Sequence, residues 1–157
     1  MSLNIRRAKA TDAERVLDLL KQVNLVHHLI RPDLFNIATK YTKDELLTIF
    51  YDDSSPVFVC EKDAKVIGYI FTLLIDHGGS NMLTPIKELY IDDLCVDEDF
   101  RGQGAATALY NHAKAYARQI GCHNLTLNVW EGNDAALAFY RKMNMATQKT
   151  KLECVLD

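Results

Sequence analysis

The chain has 157 residues, 48% of them hydrophobic and 25% charged, which suits one folded domain spanning 1–157 and excludes a disordered chain. Its 18 Lys and Arg against 21 Asp and Glu leave a net charge of -3, which argues against a protein that grips nucleic acid through the phosphate backbone. No apolar run reaches the roughly 20 residues of a membrane span, and the start, Met1-Ser2-Leu3-Asn4-Ile5-Arg6-Arg7, lacks the apolar core of a secretory leader.

In chain order, Leu3 to Ala8 reads as a short strand. Thr11-Asp12-Ala13-Glu14 reads as a capping box, with a Thr hydroxyl at the helix start and Glu three residues on. Val16, Leu17, Leu19, Leu20 and Val23 follow at helical spacing. His27 to Phe35 reads as irregular. A second capping box, Thr42-Lys43-Asp44-Glu45, opens a helix carrying Leu46, Leu47, Ile49 and Phe50. Pro56 to Glu61 and Val66 to Asp76 read as strands joined by a turn at Lys62-Asp63-Ala64, and His77 to Asn81 as a loop. Ile86 to Val96 is a third long strand, in which alternation sets Glu88, Tyr90, Asp92, Leu94 and Val96 on one face and Leu89, Ile91, Asp93 and Cys95 on the other. Gln103 to Ile120 is a long helix that Gly121 ends. Asn124 to Trp130 is a strand, Asn133 caps a helix bearing Ala136, Leu137, Tyr140 and Met143, and Thr147 to Leu156 closes as a strand. The class is mixed α/β, with hairpin pairing first and helical crossovers later.

Cys60, Cys95, Cys122 and Cys154 form no CxxC pair, and three of them lie in apolar strand-like runs. They read as buried free thiols of a cytoplasmic protein. His27 and His28 have no spaced Cys or carboxylate to complete a metal site, so no metal is expected.

The stretch Val96 to Ala106, between a strand and a long helix, holds Arg101-Gly102-Gln103-Gly104-Ala105-Ala106. Two glycines let the backbone take positive φ and approach a ligand closely. The first N–H groups of the helix have no internal partner, and with the helix dipole they suit a phosphate. No Gly-Lys-Ser/Thr follows, so this is not a Walker loop, and the third glycine of a dinucleotide fingerprint is missing.

Arg101-x-x-Gly104-x-Ala106, preceded by Leu94-x-Val96 and followed by Asn133-x-x-Ala136-x-x-x-Tyr140-x-Lys142, resembles the signature of the GNAT superfamily of acetyl-CoA-dependent N-acetyltransferases. The likeness is sharpest from Glu88 to Met145. Two positions depart from the pattern: Ala106 replaces the last glycine, and Asn144-Met145 stands where Gly-Phe is usual. The resemblance implies the GNAT fold, a mostly antiparallel sheet of six to seven strands splayed at the cofactor cleft and flanked by about four helices.

It implies acetyl-CoA as cosubstrate. Backbone N–H groups of Gly102, Gln103, Gly104, Ala105 and Ala106 would hold its pyrophosphate, and Arg101 would shape the loop. The pantetheine arm would lie along Leu94, Cys95 and Val96 and touch Asn133, which also reads as a plain helix cap. Arg141, Lys142 and Lys114 are candidates to screen the 3′-phosphate. Tyr140 aligns with the general acid. Asp92 is favoured over Glu88 as the base, acting through a water, and Asp93 stands with them as a carboxylate lining the acceptor pocket. An acidic lining favours cationic amines. His27, His28 and Arg31 lie where the acceptor-side loop falls. The implied reaction moves an acetyl group to a primary amine by direct attack in a ternary complex. A polyamine-like small molecule is favoured over a protein N-terminus or lysine, and no nucleic acid or membrane partner is expected. The rival is a CoA- or acyl-CoA-binding module without catalysis. GNAT domains often form homodimers, so a dimer is in keeping with the resemblance.

Overall fold

The computed structural model describes residues 2–156. A strand at Asn4–Arg7 (β1) pairs antiparallel with Val57–Lys62 (β2), which pairs antiparallel with Lys65–Asp76 (β3). β3 pairs antiparallel with Lys87–Val96 (β4), and β4 pairs parallel with Asn124–Leu127 (β5). The five strands follow one another in sequence order across the sheet.

Helices cover both faces. Ala13–Ile30 (α1) and Lys43–Phe50 (α2) bury Val16, Leu19, Leu20, Leu46 and Phe50 against Val57, Val59, Tyr69, Phe71 and Cys95. On the other face Ala105–Gln119 (α3) sets Leu109, Tyr110 and Ala113 against Phe58, Ile67, Ile70, Ile91 and Val96. Phe139, Tyr140 and Met143 of, or just beyond, Asp134–Lys142 (α4) pack at the margin of that second cluster.

Several helix ends follow from local chemistry. The second capping box is made in full: the Thr42 hydroxyl accepts from the Glu45 N–H at 3.2 Å, and the Glu45 carboxylate accepts from the Thr42 N–H at 3.1 Å. α3 closes on Gly121 at φ 81, with the Cys122 N–H donating to the Ala117 carbonyl and the Gly121 N–H to that of Arg118. α4 closes the same way on Asn144 at φ 66, so Asn does here what the expected glycine does elsewhere.

Four expectations are corrected. The first capping box is displaced by two residues: Ala10–Asp12 is a 3-10 turn, and the Asp12 carboxylate reaches back to accept from the Lys9 N–H at 2.9 Å, where the sequence pattern has Glu14 reach back to Thr11. Arg6 holds Asp12 in that role through two hydrogen bonds. Secondly, α1 runs on to Ile30, so His27 and His28 lie in its last turn rather than in a loop. Thirdly, the sheet has five strands instead of six or seven. Thr147 to Leu156 forms no strand, because among the described residues it has no neighbour to share a ladder with, and β5 stops at Leu127 rather than Trp130. Finally, the cysteines are unpaired, but only Cys60 and Cys95 are buried. Cys122 follows the turn at Gly121, and Cys154 is exposed.

Candidate active site

β4 positions the site, and a bulge reshapes it. Phe71 pairs with Asp93 and Thr72 pairs with Ile91, so Asp92 is an extra residue without a partner on β3. The extra residue shifts the alternation by one. Ile91 belongs to the α3 face, and beyond the bulge Leu94 and Val96 return to that face. Asp92 and Asp93 therefore both meet the α1/α2 side. This corrects the placement of Asp93 opposite Asp92: Tyr41 donates to the Asp92 carboxylate at 2.6 Å and Tyr69 to the Asp93 carboxylate at 2.8 Å, while the Tyr41 and Tyr69 rings both lie against Phe71.

Asp92 sits at the end of a cleft of about 240 Å³ lined by Tyr41, Ile49, Asp52, Phe71, Thr72 and Leu73. It carries a cation already, since Lys40 Nζ lies 2.9 Å from Asp92 Oδ1 and 3.2 Å from its carbonyl oxygen. Asp93 is in a drier place. Desolvation raises its pKa to about 6, against the pull of the Tyr69 hydroxyl bond. Glu88 lies four residues before Asp92, where β4 is still paired with β5. Its two oxygens are taken up by His77 Nε2 and the Thr126 hydroxyl, both at 2.6 Å, and these bonds hold its carboxyl below the usual range despite partial burial. The structure thus separates Glu88 from the bulge pair.

β4 and β5 pair only from Glu88 to Ile91 and from Asn124 to Leu127. Beyond this point they part, and Leu94, Cys95 and Val96 keep a free backbone edge on the β5 side. The parting opens toward the Gly-rich turn. Gly102 and Gly104 take φ 76 and φ 87, and a Cβ on either would meet nothing within 4 Å, so the turn faces open space. Gly104 is the N-cap of α3, which leaves the N–H groups of Ala105 and Ala106 at the positive end of the helix dipole. Upstream, the buried Asp97 pins the turn. Its carboxylate accepts from Arg15 of α1 and from the Asp99 N–H, and its own N–H donates to the Ile67 carbonyl. These features fit a pyrophosphate with an extended arm along β4. Arg101 and Gln103 are exposed beside the turn.

α4 faces this opening. The Asn133 side chain accepts from the Ala136 N–H at 3.3 Å, which bears out its capping role. Tyr140 lies beside Phe139 and Tyr110, and burial, aided by the charge of Asp93, pushes its pKa well above that of an ordinary tyrosine. The hydroxyl is accordingly protonated at neutral pH. Cys95 points into the α1/α2 core near the Leu19 carbonyl, and burial pushes its thiol up to about 12, so it is no nucleophile.

The chain matches the family model for the acetyltransferase (GNAT) family over residues 23–145. It belongs to that family. Among relatives, it is 33% identical over 91 residues to an uncharacterised N-acetyltransferase of Methanocaldococcus jannaschii, a match covering 58% of this chain and 39% of that protein. The chain thus spans well under half of that relative. It is 29% identical over 145 residues to the peptidyl-lysine N-acetyltransferase YjaB of Salmonella typhimurium, covering 91% of this chain and 83% of that one. Among solved structures, a mutant of a Bacillus halodurans protein superposes with a TM-score of 0.93 at 29% identity, covering 98% of this chain and 99% of that one. This GNAT chain is therefore an acetyl-transferring enzyme of a family that generally uses acetyl-CoA, and the binding-module rival falls. Among the described residues no helix is long and apolar enough to cross a membrane, and no group of three or more His, Cys, Asp or Glu is placed to hold a metal ion.

The acceptor-side candidates make local contacts. His28 Nδ1 lies 2.6 Å from the Phe35 carbonyl and the His27 ring packs on Phe35, where burial lowers its pKa. Arg31 bridges Asp33 and Glu153. None of the three is among the side chains hydrogen-bonded to Asp92. Those are Lys40 and Tyr41, which sequence reasoning missed. They lie 52 and 51 residues away along the chain, and no local pattern connects them. The adjacent Asp92-Asp93 pair was the one available signal, since alternation alone would separate the two.

Proposed function

We propose that this GNAT domain acetylates a primary amine on a small cationic molecule, by direct attack on acetyl-CoA in a ternary complex. The observation that carries the reading is Asp92. A carboxylate on a β-bulge, at the mouth of the parting strands, already holds an ammonium group 2.9 Å away. An acceptor ammonium that displaces Lys40 from Asp92 has its proton beside a base and its nitrogen beside the free edge of β4. Asp52 adds negative charge to the same cleft, which favours cationic acceptors.

Each residue then has a task. Gly102, Gln103, Gly104, Ala105 and Ala106 hold the pyrophosphate through backbone N–H groups, with Arg101 beside them. Leu94, Cys95 and Val96 align the pantetheine arm, with Asn133 across from them, and an N–H of the same edge supports the oxygen that becomes negative during transfer. Asp92 takes the amine proton, directly or through a water, because an alkylammonium is not a nucleophile. Tyr140, kept protonated by its surroundings, gives a proton to the departing thiolate. Acetyl-CoA itself supplies the activated acyl group. Glu88, tied to His77 and Thr126, orients the lower part of β4 instead of acting as the base. Four unpaired cysteines suit the reducing cytoplasm.

A second reading, transfer to a lysine of a protein, has the likeness to the Salmonella peptidyl-lysine enzyme in its favour. The test is CoA release from acetyl-CoA against polyamines, aminoglycosides, amino acids and lysine peptides, with products identified by mass. Turnover with a small polycationic amine is expected. Turnover confined to lysine peptides would replace this reading with the second one, and CoA binding without turnover on any amine would remove both.

A further inference from the structure

Arg15 and Gln22 lie two turns apart along one stripe of α1, with Leu19 between them. Leu19 is fully buried against the sheet, and this sets its two polar neighbours beside the C-terminal end of β4. Arg15 joins the start of β3 to the residue after β4: its Nε donates to the Val66 carbonyl at 2.8 Å, and its Nη2 pairs with the buried Asp97 carboxylate. Gln22 adds a second hold. Its Oε1 accepts from the Glu98 N–H at 3.2 Å, and its Nε2 lies 3.5 Å from Asp97 Oδ1. Asp97 in turn accepts from the Asp99 N–H at 3.1 Å and donates its own N–H to the Ile67 carbonyl at 2.8 Å.

The packing of α1 does not call for this clamp, because Val16, Leu19 and Leu20 already seat the helix, and a buried ion pair adds little net stability. What it fixes is the start of a segment that cannot fix itself. Arg101, Gly102, Gln103 and Gly104 are all exposed, and the two glycines take positive φ with open space around them. A glycine-rich turn has many conformations to lose, and backbone N–H groups hold a phosphate well only when they already point together. The far end of the turn is anchored by Ala105, buried at the start of α3, and its side by Lys62 of β2, which donates to the Gln103 side chain. The near end, Asp97 to Phe100, is a single 3-10 turn tied to α1 by Arg15 and Gln22.

We infer that Arg15 and Gln22 are positioning residues for the acetyl donor. They set the near end of the turn so that the N–H groups of residues 102–106 converge on the pyrophosphate, which neither side chain touches. The inference rests on the reading of that turn as the pyrophosphate cradle. It also makes α1 serve both substrates. Asn24, two residues beyond Gln22, accepts from the Ala38 N–H at 2.8 Å and steadies the segment that brings Lys40 and Tyr41 to Asp92.

The experiment titrates CoA into variants of the full chain and follows their glycine amides by heteronuclear NMR. Gln22→Met keeps the helix and the length of the side chain, and removes both of its bonds without stranding a charge. Arg15→Lys keeps a charge beside Asp97 and loses the fork that also reaches Val66. Both variants should keep the fold. Gln22→Met should weaken CoA binding roughly tenfold, the worth of one hydrogen bond, and Arg15→Lys should weaken it less. In the CoA-free variants the amide signals of Gly102 and Gly104 should move and sharpen, while those of Gly78 and Gly121 stay in place. Gly104→Glu tests the cradle itself. Loss of CoA binding in Gly104→Glu, with wild-type affinity in both α1 variants, overturns this inference alone. Wild-type affinity in Gly104→Glu overturns the cradle and the inference with it. Weakened binding in the α1 variants with the Gly102 and Gly104 signals unmoved also overturns the inference, by making the loss one of general stability.

Discussion

Tyr140 and Asp93 show how a buried carboxylate helps set the protonation of a group far from it in sequence. Burial and the Asp93 charge both disfavour a Tyr140 phenolate, so a proton is available on Tyr140 at any ordinary assay pH. Tyr140→Phe keeps the ring against Phe139 and Tyr110 and removes only the hydroxyl. Turnover is expected to fall by roughly 10²-fold with CoA affinity nearly unchanged, as steady-state kinetics and CoA titration would read. Unchanged turnover would take Tyr140 out of the mechanism. Asp93 is the complementary case. Its folded pKa of about 6 lies above its ordinary value, so at intermediate pH the folded state binds more protons than the unfolded one. Stability on its account is present in acid and declines as pH rises toward the folded pKa. Asp93→Asn retains an acceptor for the Tyr69 hydroxyl and cannot ionise. It should melt higher than wild type above about pH 7 and lose that advantage by about pH 4. A variant no more stable at the higher pH would mean that Asp93 is not held in a desolvated, charge-averse place.

At the scale of elements, what the sequence discloses depends on how far away the cause lies. The ends of α3 and α4 are legible because Gly121 and Asn144 each satisfy a left-handed requirement one residue beyond the helix cap. The capping box of α2 is legible for the same reason: donor and acceptor are three residues apart. The start of α1 is misread because Arg6, on β1, holds Asp12 where it reaches back to the Lys9 N–H, the role expected of Glu14 toward Thr11. Its end is misread because His27 and His28 interrupt the apolar spacing, although the helix carries both through to Ile30, where they lie half-buried against Phe35. The bulge in β4 leaves no periodic signature, since it is set by which residues of β3 lie opposite. Thr147 to Leu156 has a strand's pattern but joins no ladder among the described residues, because alternation sets which side chains share a face and says nothing of whether an edge lies near enough to pair.

For the whole molecule, the family is legible and the acceptor is not. Arg101-x-x-Gly104-x-Ala106 encodes a local backbone shape, two positive-φ glycines leading into a helix, so a short motif suffices to find it. The cleft proposed for the acceptor draws Tyr41, Asp52, Phe71 and Asp92 from four separate segments, and the sequence contains no statement of that meeting. The same long-range construction leaves a gap that a bound ligand would brace. β4 and β5 share a ladder of four residue pairs, then part, and α4 on the far side of the gap has no fully buried residue. CoA filling the parting would tie α3, β4 and α4 together. At about 100 times its dissociation constant, a ligand that binds only the folded state adds about 2.7 kcal/mol, which for a domain of this size corresponds to a rise of roughly 5–10 °C in Tm. Gly104→Glu serves as the control. It forces a side chain onto a φ of 87 and sets a carboxylate in the cradle proposed for the phosphates, so its own Tm should drop somewhat and its CoA-induced rise should vanish. Thermal melts of both proteins with and without CoA read the two effects separately. A CoA-induced rise in Gly104→Glu as large as in wild type would place the phosphates away from the turn at 101–106, whereas its loss with the fold intact would tie the stability of the opened sheet to that cradle.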